Sequence, residues 1–487
     1  MNKEIYNLEP KEVWQHFYSL TQVPRPSKHE DKIQEFMVNF GNELGLETIK
    51  DETGNVIIKK PATPGMENRK VVVLQGHLDM VPQKNSDNNH DFKTDPIEAY
   101  IDGDWVTANG TTLGADNGIG VAAAMAVLTS NNLVHGPIEC LFTTDEETGM
   151  TGAFGLKPGM LDGDILMNLD SEDEGELYIG CAGGVDLNAT FHYQTERIPE
   201  GSKAYKLTVM GLKGGHSGLD IRLYRGNSNK LLFRFLKVAS KDFGMRIATV
   251  LGGSLRNAIP RESFATVIVP GSNTAAFEAA VKEYEQIFIK ELHVKEPDLQ
   301  FTAEPTDDMG LALMDMDTQM RFINAVYATP NGIIRMSDDM EGMVETSTNL
   351  AIITAKDGEI KIAALMRSAV ESAKDDLAEM MSSVYELAGA EYSLDGGYPG
   401  WKPNPDSEIL TEMQGIYKNL YGSIPEIKAI HAGLECGLLG SVYTNWDMIS
   451  FGPTIRYPHS PDEKVNIETV GKFWNYLTET LKNIPAK

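Results

Sequence analysis

The run Val71-Val72-Val73-Leu74-Gln75-Gly76-His77-Leu78-Asp79 decides how the rest of the sequence is interpreted. Its first half is a short, continuous apolar segment rich in β-branched residues, which predicts a strand buried on both faces. Its second half is polar, so His77 and Asp79 follow directly where the strand ends. Strands buried on both faces are typical of parallel sheets, in which ligands bind beyond the carboxyl ends of the strands.

Two more apolar runs of strand length follow along the chain. Ile138–Phe142 and Ile165–Leu169 are short and mainly apolar, and the segment Gly118–Leu128 before them consists of small apolar residues typical of a buried helix. Strand, helix and strand at this spacing predict a mostly parallel, doubly wound α/β sheet.

The pattern of the sequence changes after Gly183-Gly184. Strands of exposed character alternate with amphipathic helices from about residue 187 to 395, which predicts an α+β domain, with two β-α-β-β-α-β lobes as one alternative. Beyond the turn Gly396–Trp401 the sequence returns to helix, strand and a closing helix. We therefore predict one catalytic α/β domain in two segments, 1–186 and 396–487, interrupted by an inserted domain at 187–395.

The composition limits the classes of function. The 43 basic and 70 acidic residues give a formal net charge of −27, which disfavours binding to nucleic acid and to anionic membranes. The three cysteines are too few for a disulfide framework or a thiolate zinc site. No apolar run approaches the ~20 residues that span a bilayer, and the first ten residues lack the apolar core of a signal peptide. We therefore expect a cytoplasmic protein.

Acidic side chains follow the other predicted strands as well. Thr144-Asp145-Glu146-Glu147 comes after the second strand and Asp170-Ser171-Glu172 after the third, while Asp116 lies in Gly114-Ala115-Asp116-Asn117-Gly118 before the small-residue helix. Each motif alone is more typical of a solvated loop or turn. Because the carboxyl ends of parallel strands meet at one edge of a sheet, we expect these side chains to share one crevice.

Five carboxylates in one desolvated crevice cannot all stay ionised without cations. A mixture of histidine and carboxylate ligands suits Zn²⁺ or another divalent first-row metal, whereas oxygen ligands alone would suit Mg²⁺ or Ca²⁺. A carboxylate between two half-sites can bridge two metals ~3.5–4 Å apart, as in two-metal hydrolysis. Of the adjacent Glu146 and Glu147, one could bind metal while the other transfers a proton.

With these motifs, the sequence resembles a family of dinuclear zinc peptidases that includes aminoacylases, glutamate-releasing carboxypeptidases and Xaa-His dipeptidases. The resemblance extends over essentially the whole chain. It is strongest with the dipeptidase branch, in Gln75–Val81, Gly114–Gly118, Tyr398–Trp401 and His431–Glu435. It implies a zinc-peptidase catalytic domain and an inserted lid domain.

The resemblance also implies the metals and their ligands. Two Zn²⁺ per subunit are implied, with Co²⁺ or Mn²⁺ as substitutes. Asp116 would bridge both ions. His77 and Asp170 would ligate one ion, and Glu147 and His459 the other.

Two further residues of the first segment receive catalytic roles from the resemblance. Glu146 would act as the general base towards a metal-activated water and later as the acid. Asp79 would orient the imidazole of His77, as carboxylates behind metal-bound histidines do.

The inserted domain contributes three residues by resemblance. His216, in Gly214–Gly218, would stabilise the oxyanion of the tetrahedral intermediate, and Asn257 and Arg367 would bind the substrate's carboxylate. An arginine is a natural bidentate partner for that group. His431 and Glu435 receive no role.

The resemblance predicts a metallo-dipeptidase that hydrolyses short dipeptides, foremost Xaa-His dipeptides such as β-alanyl-histidine. A tripeptidase and an N-acyl-amino-acid amidohydrolase with the same two-metal site are the enzymatic alternatives, and a peptide- or metal-binding protein without turnover is the third. The expected partner is a small peptide rather than nucleic acid or membrane. The oligomeric state is left open, with a homodimer among the alternatives.

Overall fold

The computed structural model describes residues 3–307 and 312–487. Within these ranges, the helices α1 to α12 span, in chain order, Lys11–Thr21, Asp31–Glu43, Ala115–Thr129, Glu146–Gly149, Thr151–Gly155, Ser228–Phe243, Thr274–Leu292, Met316–Ala328, Glu371–Leu387, Glu408–Tyr421, Glu435–Val442 and Ile467–Lys482. None of these helices is long and apolar enough to cross a membrane.

The strands of the same ranges, β1 to β25, are mostly short. In chain order they span Glu47–Lys50, Val56–Lys60, Val72–His77, Ala99–Asp102, Trp105–Ala108, Ile138–Thr143, Ile165–Asn168, Glu176–Cys181, Gly183–His192, Thr195–Glu196, Ser202–Met210, Gly215–His216, Arg246–Gly252, Ala258–Ile259, Ser263–Pro270, Gln300–Thr306, Leu313–Met314, Gly332–Met336, Val344–Lys356, Glu359–Ser368, Glu391–Tyr398, Glu426–Ile430, Asp447–Ser450, Ile455–Arg456 and Lys464–Asn466.

The chain folds into two compact units. The first consists of Met1–Gly180, Pro403–Ala429 and Leu434–Lys487, and the second of Cys181–Lys402 and Ile430–Gly433. The expected boundaries at 186/187 and 395/396 therefore lie six and seven residues inside the main segment of the second unit. No pattern in the sequence indicates that 430–433 belongs to the second unit. The assignment of the two units as catalytic domain and lid stays a prediction.

The first unit is built on an eight-stranded sheet with the order β1-β2-β6-β3-β7-β23-β8-β22. The four central strands, β6, β3, β7 and β23, are parallel, and β1, β2 and β8 pair antiparallel beside them. All residues of β3, β6 and β7 are buried, as their continuous apolar sequences require. The prediction of an α/β domain with a largely parallel sheet is confirmed.

Helix α3 packs within the first unit and is apolar around its whole circumference. Residues from Asn117 to Leu128 are all buried, which the small side chains of this helix permit because they let neighbouring elements approach closely. Asp116 and Asn117 have non-helical backbone angles within the helix, and the peptide bond between them is cis. The regular helix therefore starts only after Asn117.

The second unit contains a nine-stranded sheet in which all recorded strand pairs are antiparallel. Its main order is β16-β11-β15-β13-β19-β20-β9-β21. The first four strands with α6 and α7 form one β-α-β-β-α-β lobe. The last four strands, together with α8 and α9, form a second lobe of the same kind. In the sequence, the first lobe is inserted into the second lobe directly after β9. The predicted α+β character is confirmed.

One apolar core serves this second sheet. Alternate strand residues such as Leu207, Val267 and Ala364 belong to it together with residues of the helices α6 to α9. Because side chains alternate along a strand, the residues between them lie on the opposite face of the sheet. Ser347 and Arg367 are on that opposite face, since their neighbours Thr348 and Met366 point towards the helices.

Candidate metal centre

The carboxyl ends of the parallel strands of the first unit bring the predicted ligands together. His77 is the last residue of β3, Glu146 follows β6 as the first residue of α4, and Asp170 comes two residues after β7. His459 lies beyond β23, in the segment between β24 and β25. The fold thus gives His77, Glu146 and Asp170 the positions after strands that the sequence indicated.

His77, Asp116 and Asp170 form the first group. The Nε2 atom of His77 is 3.1 Å from Oδ1 of Asp116 and 3.4 Å from Oδ1 of Asp170. One ligand atom from each residue lies within 4.8 Å of the other two. Such a group of convergent nitrogen and oxygen atoms has the dimensions of a metal site.

Asp116, Glu147 and His459 form the second group. The Nε2 atom of His459 is 3.3 Å from Oδ2 of Asp116 and 2.9 Å from Oε2 of Glu147. Asp116 thus presents one carboxylate oxygen to each group. This is the arrangement that a carboxylate bridging two metals requires.

Glu146 lies beside the ligands. It forms a further group with His77 and Glu147, again with ligand atoms within 4.8 Å of one another. Burial, together with the negative charges of Asp170, Glu435 and Glu147, raises the pKa of Glu146 well above its ordinary value. The side chain is therefore suited to holding a proton in this pocket.

The electrostatics of the two groups fit divalent cations. Burial and the charges of Asp116 and Glu147 raise the pKa of Asp170 to about 7. Hydrogen bonds to Asp116 and Glu147 raise the pKa of His459 to about 11, so positive charge is favoured at that point. Glu147 Oε1 and Asp170 Oδ1 are buried and lack a hydrogen-bond partner. Cations would satisfy these oxygens, and the mixed donors suit Zn²⁺ or a similar first-row ion.

Asp79 connects His77 to the two glutamates. Its Oδ1 is 3.3 Å from Nδ1 of His77 and accepts a hydrogen bond from the backbone N–H of Glu146 at 3.0 Å. Its Oδ2 accepts from the N–H of Glu147 at 3.3 Å and from the hydroxyl of Ser27 at 2.8 Å. Burial acts to raise the pKa of Asp79, but the hydrogen bond and charge of His77 and these donors outweigh it and lower the pKa to about 2.

Because Asp79 fixes both a ligand and the segment that carries Glu146 and Glu147, we expect Asp79→Asn to lower kcat and metal affinity by about 10- to 100-fold. Its amide cannot accept hydrogen bonds with both terminal atoms. Steady-state kinetics and metal titration measure the two effects. Asp102→Asn, at an exposed position of the same unit, is the control, and unchanged kcat and metal content in Asp79→Asn would contradict this role.

Glu463 fixes the loop that presents Asp116. One of its carboxylate oxygens accepts hydrogen bonds from the N–H groups of Leu113 and Gly114 at 2.7 and 2.9 Å, and the other from Ala115 and Asp116 at 2.7 and 3.2 Å. Gly114 has a φ of +71°, which a side chain would strain. A buried carboxylate with four donors thus defines the path of this loop.

Arg25 supports the same region from the other side. It is buried and donates to the carbonyl groups of Leu78 and Asp79 at 2.9 Å each, and to that of Gly114 at 2.5 Å. Sequence reasoning assigned no role to Arg25 or Glu463. Their partners are backbone groups far away in the sequence, for which no local motif exists.

Glu435 belongs to a buried chain of hydrogen bonds beneath the ligands. Its Oε2 accepts from Gln75 Nε2 at 2.6 Å and from Thr143 Oγ1 at 2.7 Å. Asn168 donates to Gln75 at 2.5 Å, and Ser450 donates to Asn168 at 2.5 Å. The chain thereby links β3, β6, β7 and β23 just before their ligand-bearing ends, so Glu435 supports the centre rather than being an isolated acid.

The other three predicted site residues lie in the second unit. Nδ1 of His216 accepts hydrogen bonds from the N–H groups of Gly218 and Leu219 at 3.2 and 3.1 Å. Burial and the charge of Arg367 lower the pKa of His216. A neutral imidazole that accepts at Nδ1 carries its proton at Nε2, so His216 presents a hydrogen-bond donor.

Arg367 and Asn257 differ in their surroundings. Arg367 is 5% exposed, and its Nη1 donates to the hydroxyl of Tyr398 at 2.7 Å. Asn257 is exposed, and its backbone carbonyl accepts from the N–H of Ser217 at 2.8 Å. Since Ser217 follows His216, this bond ties the segment of Asn257 to that of the histidine.

The sequence of the chain matches peptidase family M20/M25/M40 over residues 73–483. This chain belongs to that family. It is 49% identical to the cytosol non-specific dipeptidase of Escherichia coli (strain K12) over 486 residues, which are 99% of this chain and 100% of that protein. The predicted family is therefore confirmed, and the chain is a metallopeptidase, a hydrolase acting on peptide bonds.

Solved structures agree with this assignment. The aminoacylhistidine dipeptidase from Vibrio alginolyticus is 52% identical, with a TM-score of 0.95 and 99% of each chain covered. A tripeptidase from Staphylococcus aureus shares the fold with a TM-score of 0.56 at 16% identity, over 98% of this chain and 99% of that one. The close likeness is thus to dipeptidases, while the tripeptidase resembles the chain in fold alone.

Proposed function

We propose that this chain is a two-metal dipeptidase that hydrolyses dipeptides with a free carboxylate, including Xaa-His dipeptides such as β-alanyl-histidine. The observation that carries the proposal is Asp116, whose two oxygens each face one ligand group, with Glu146 beside them. The two close relatives, named as a non-specific and as an aminoacylhistidine dipeptidase, support the substrate class.

In this proposal His77 and Asp170 hold one ion, Glu147 and His459 the other, and Asp116 both. Bound Zn²⁺, or Co²⁺ or Mn²⁺ in its place, would supply a Lewis acid that polarises the scissile carbonyl and makes water a stronger nucleophile. The Oδ1 atom of Asp79, 3.3 Å from Nδ1 of His77, would favour the tautomer that carries its proton at Nδ1 and leaves Nε2 free for the metal.

Glu146 carries the proton in the proposed reaction. It takes a proton from the attacking water and donates it to the nitrogen of the leaving amino acid. Its burial supports this role, since a desolvated carboxylate binds a proton more readily than an exposed one. Asp79 contributes by fixing the backbone N–H of Glu146.

His216, Asn257 and Arg367 provide the proposed substrate contacts. His216 donates its Nε2 proton to the oxyanion, while Arg367 and Asn257 bind the terminal carboxylate. Arg367 has no carboxylate partner among the residues that the structure describes. A buried, unpaired guanidinium is costly, and the substrate's carboxylate would provide its counter-charge.

A substrate panel with and without a chelator tests the proposal. The panel contains β-alanyl-histidine, leucyl-histidine, leucyl-leucine, an amidated dipeptide, triglycine and an N-acyl amino acid. We expect the free dipeptides to be cleaved fastest, the amidated one poorly, and chelation to abolish activity until Zn²⁺, Co²⁺ or Mn²⁺ is returned. Faster cleavage of triglycine or of the N-acyl amino acid would overturn the dipeptidase assignment in favour of one of the alternatives.

The E. coli relative is named as a cytosolic enzyme. The absence of a membrane-spanning helix from the described residues is compatible with the same location. We propose the cytoplasm as the compartment, where short peptides from protein turnover would be the substrates. Fractionation of cells followed by activity measurement tests this.

A further inference from the structure

Arg367 lies in a row of residues that crosses the second sheet. Ser347 of β19 is directly opposite Arg367 of β20, which is opposite Gly184 of β9, which in turn pairs with Tyr398 of β21. Residues in such a row present their side chains on the same face. Gly184 has no side chain, so the space above it is available to a neighbour.

The ring of Tyr398 fills that space. A Cβ atom added at Gly184 would lie 2.8 Å from three atoms of this side chain, and one added at Gly433 would lie 2.9 Å from its nearest ring atom. Neither glycine has a positive φ. Both positions therefore require glycine for the close approach of the ring and not for their backbone conformation.

Tyr398 reaches Arg367 from this position between the two glycines. Its hydroxyl accepts from Nη1 at 2.7 Å, while its carbonyl accepts from the buried Lys374 at 2.9 Å. Both the backbone and the ring of Tyr398 are thus held. Two of the stretches that carry the resemblance to the dipeptidase branch, Tyr398–Trp401 and His431–Glu435, meet here through Tyr398 and Gly433.

The contact determines which donors of Arg367 stay free. With Nη1 bonded to Tyr398, the edge formed by Nε and Nη2 remains, and Nε is buried without a hydrogen-bond partner. A carboxylate binds side-on to that edge with two parallel hydrogen bonds. On the other side of Arg367, Ser347 is 2.7 Å from Nε2 of His431, so neutral groups flank the guanidinium.

We propose that Tyr398 is a positioning residue, which holds Arg367 in the orientation in which its free edge binds the substrate's terminal carboxylate. The proposal rests on the function proposed above, in which Arg367 binds that group. It explains why tyrosine at 398 and glycines at 184 and 433 occur together. The ring of Tyr398 fits only because both glycines lack a side chain, and the hydroxyl on that ring orients Arg367.

Tyr398→Phe tests the role of the hydroxyl. The ring remains, so the fold should too, but Arg367 loses the acceptor that orients it. A hydrogen bond to a charged group contributes enough that we expect KM for leucyl-histidine to rise about tenfold or more. A contact made equally in the ground and transition states affects KM rather than kcat, so kcat should change less than about threefold. The kcat/KM for the amidated dipeptide should stay the same, because this substrate lacks the carboxylate.

Gly433→Ala provides an independent test because it keeps the hydroxyl but displaces the ring. It should raise KM in the same selective way, whereas Tyr392→Phe should not, since Tyr392 lies on the same strand but is 42% exposed. In an Arg367→Ala background, Tyr398→Phe should have no further effect on KM, since the two act as one unit.

The outcomes separate this proposal from the one on which it rests. If Arg367→Ala raises KM for the free dipeptide but Tyr398→Phe and Gly433→Ala do not, the positioning role is wrong while the proposed function stands. If Tyr398→Phe impairs the free and the amidated dipeptide equally, its role is general and the positioning proposal is also overturned. If Arg367→Ala leaves KM unchanged, the carboxylate contact of the proposed function is itself wrong.

Discussion

Glu146→Gln is expected to lower kcat by about 10²–10⁴ while leaving the metal content of the protein unchanged, because the amide can neither take a proton from water nor return it. The side chain keeps its shape and its place at the start of α4, where the backbone N–H bonds to Asp79. Stopped-assay kinetics and metal analysis of the purified variant measure the two quantities separately.

The neighbouring glutamate provides the matched control for this experiment. Glu147→Gln should reduce metal content instead, because Oε2 of Glu147 lies 2.9 Å from His459 within the second ligand group. Both variants replace a carboxyl group by an amide at adjacent positions, so the difference between them isolates the role of each glutamate. If Glu146→Gln lost metal and Glu147→Gln retained it, the roles of the two residues would be reversed.

His216→Ala should lower kcat by about 10²–10³, the usual cost of losing one donor to an oxyanion. Because Nδ1 of His216 accepts two hydrogen bonds, the imidazole carries its proton at Nε2. The hydrogen bond from Nε2 to the substrate's carbonyl oxygen strengthens as negative charge develops on that oxygen. Since such a contact strengthens in the transition state, KM should change much less than kcat.

Three measurements on His216→Ala check this interpretation. Metal content should equal that of the parent, because none of the candidate ligand groups among the described residues contains His216. His192→Ala, an exposed histidine of the same unit, should behave as the parent. An unchanged kcat together with a raised KM would show that His216 binds substrate in the ground state and is not an oxyanion donor.

The sequence was sufficient to predict the architecture of the first unit because its strands are buried on both faces. The mainly apolar runs at 71–75, 138–142 and 165–169 identified β3, β6 and β7, and the expected closing helix is present as Ile467–Lys482. The order of the strands could not be derived in the same way. β23 lies between β7 and β8 although it comes far later in the chain, and no local pattern encodes such a pairing.

The candidate site could be predicted from sequence where its chemistry depends on the type of side chain that follows a strand. His77, Asp116, Glu147, Asp170 and His459 were named from their positions after strands and from the family resemblance, and the fold places them in two adjoining groups. Their roles remain predictions. Asp79 was named as the residue that orients His77, but Arg25 and Glu463 were not found, because they bond to backbone groups, which every residue possesses.

The boundaries between the two units could be predicted from sequence only approximately. Turn-rich segments near 183 and 396–401 indicated where the pattern changes, but the units divide at 180/181 and 402/403. Residues 430–433 fold with the second unit, and there His431 bonds to Ser347 and Gly433 contacts Tyr398. A four-residue segment carries too little periodicity to reveal this from sequence.

The hydrogen bonds between Glu463 and the loop that carries Asp116 have a consequence for when the active site can form during synthesis. Glu463 bonds to Leu113 across 350 positions of sequence, and His459 meets Asp116 across 343. A growing chain that has not yet released residues 459–463 from the ribosome lacks the proposed metal ligand His459. It also lacks Glu463, which shapes the loop of Asp116, the proposed bridging ligand. Contacts of such separation form late because their loop-closure cost is high. The catalytic pocket is therefore among the last parts of the protein to assemble, and an unfinished chain carries no active peptidase.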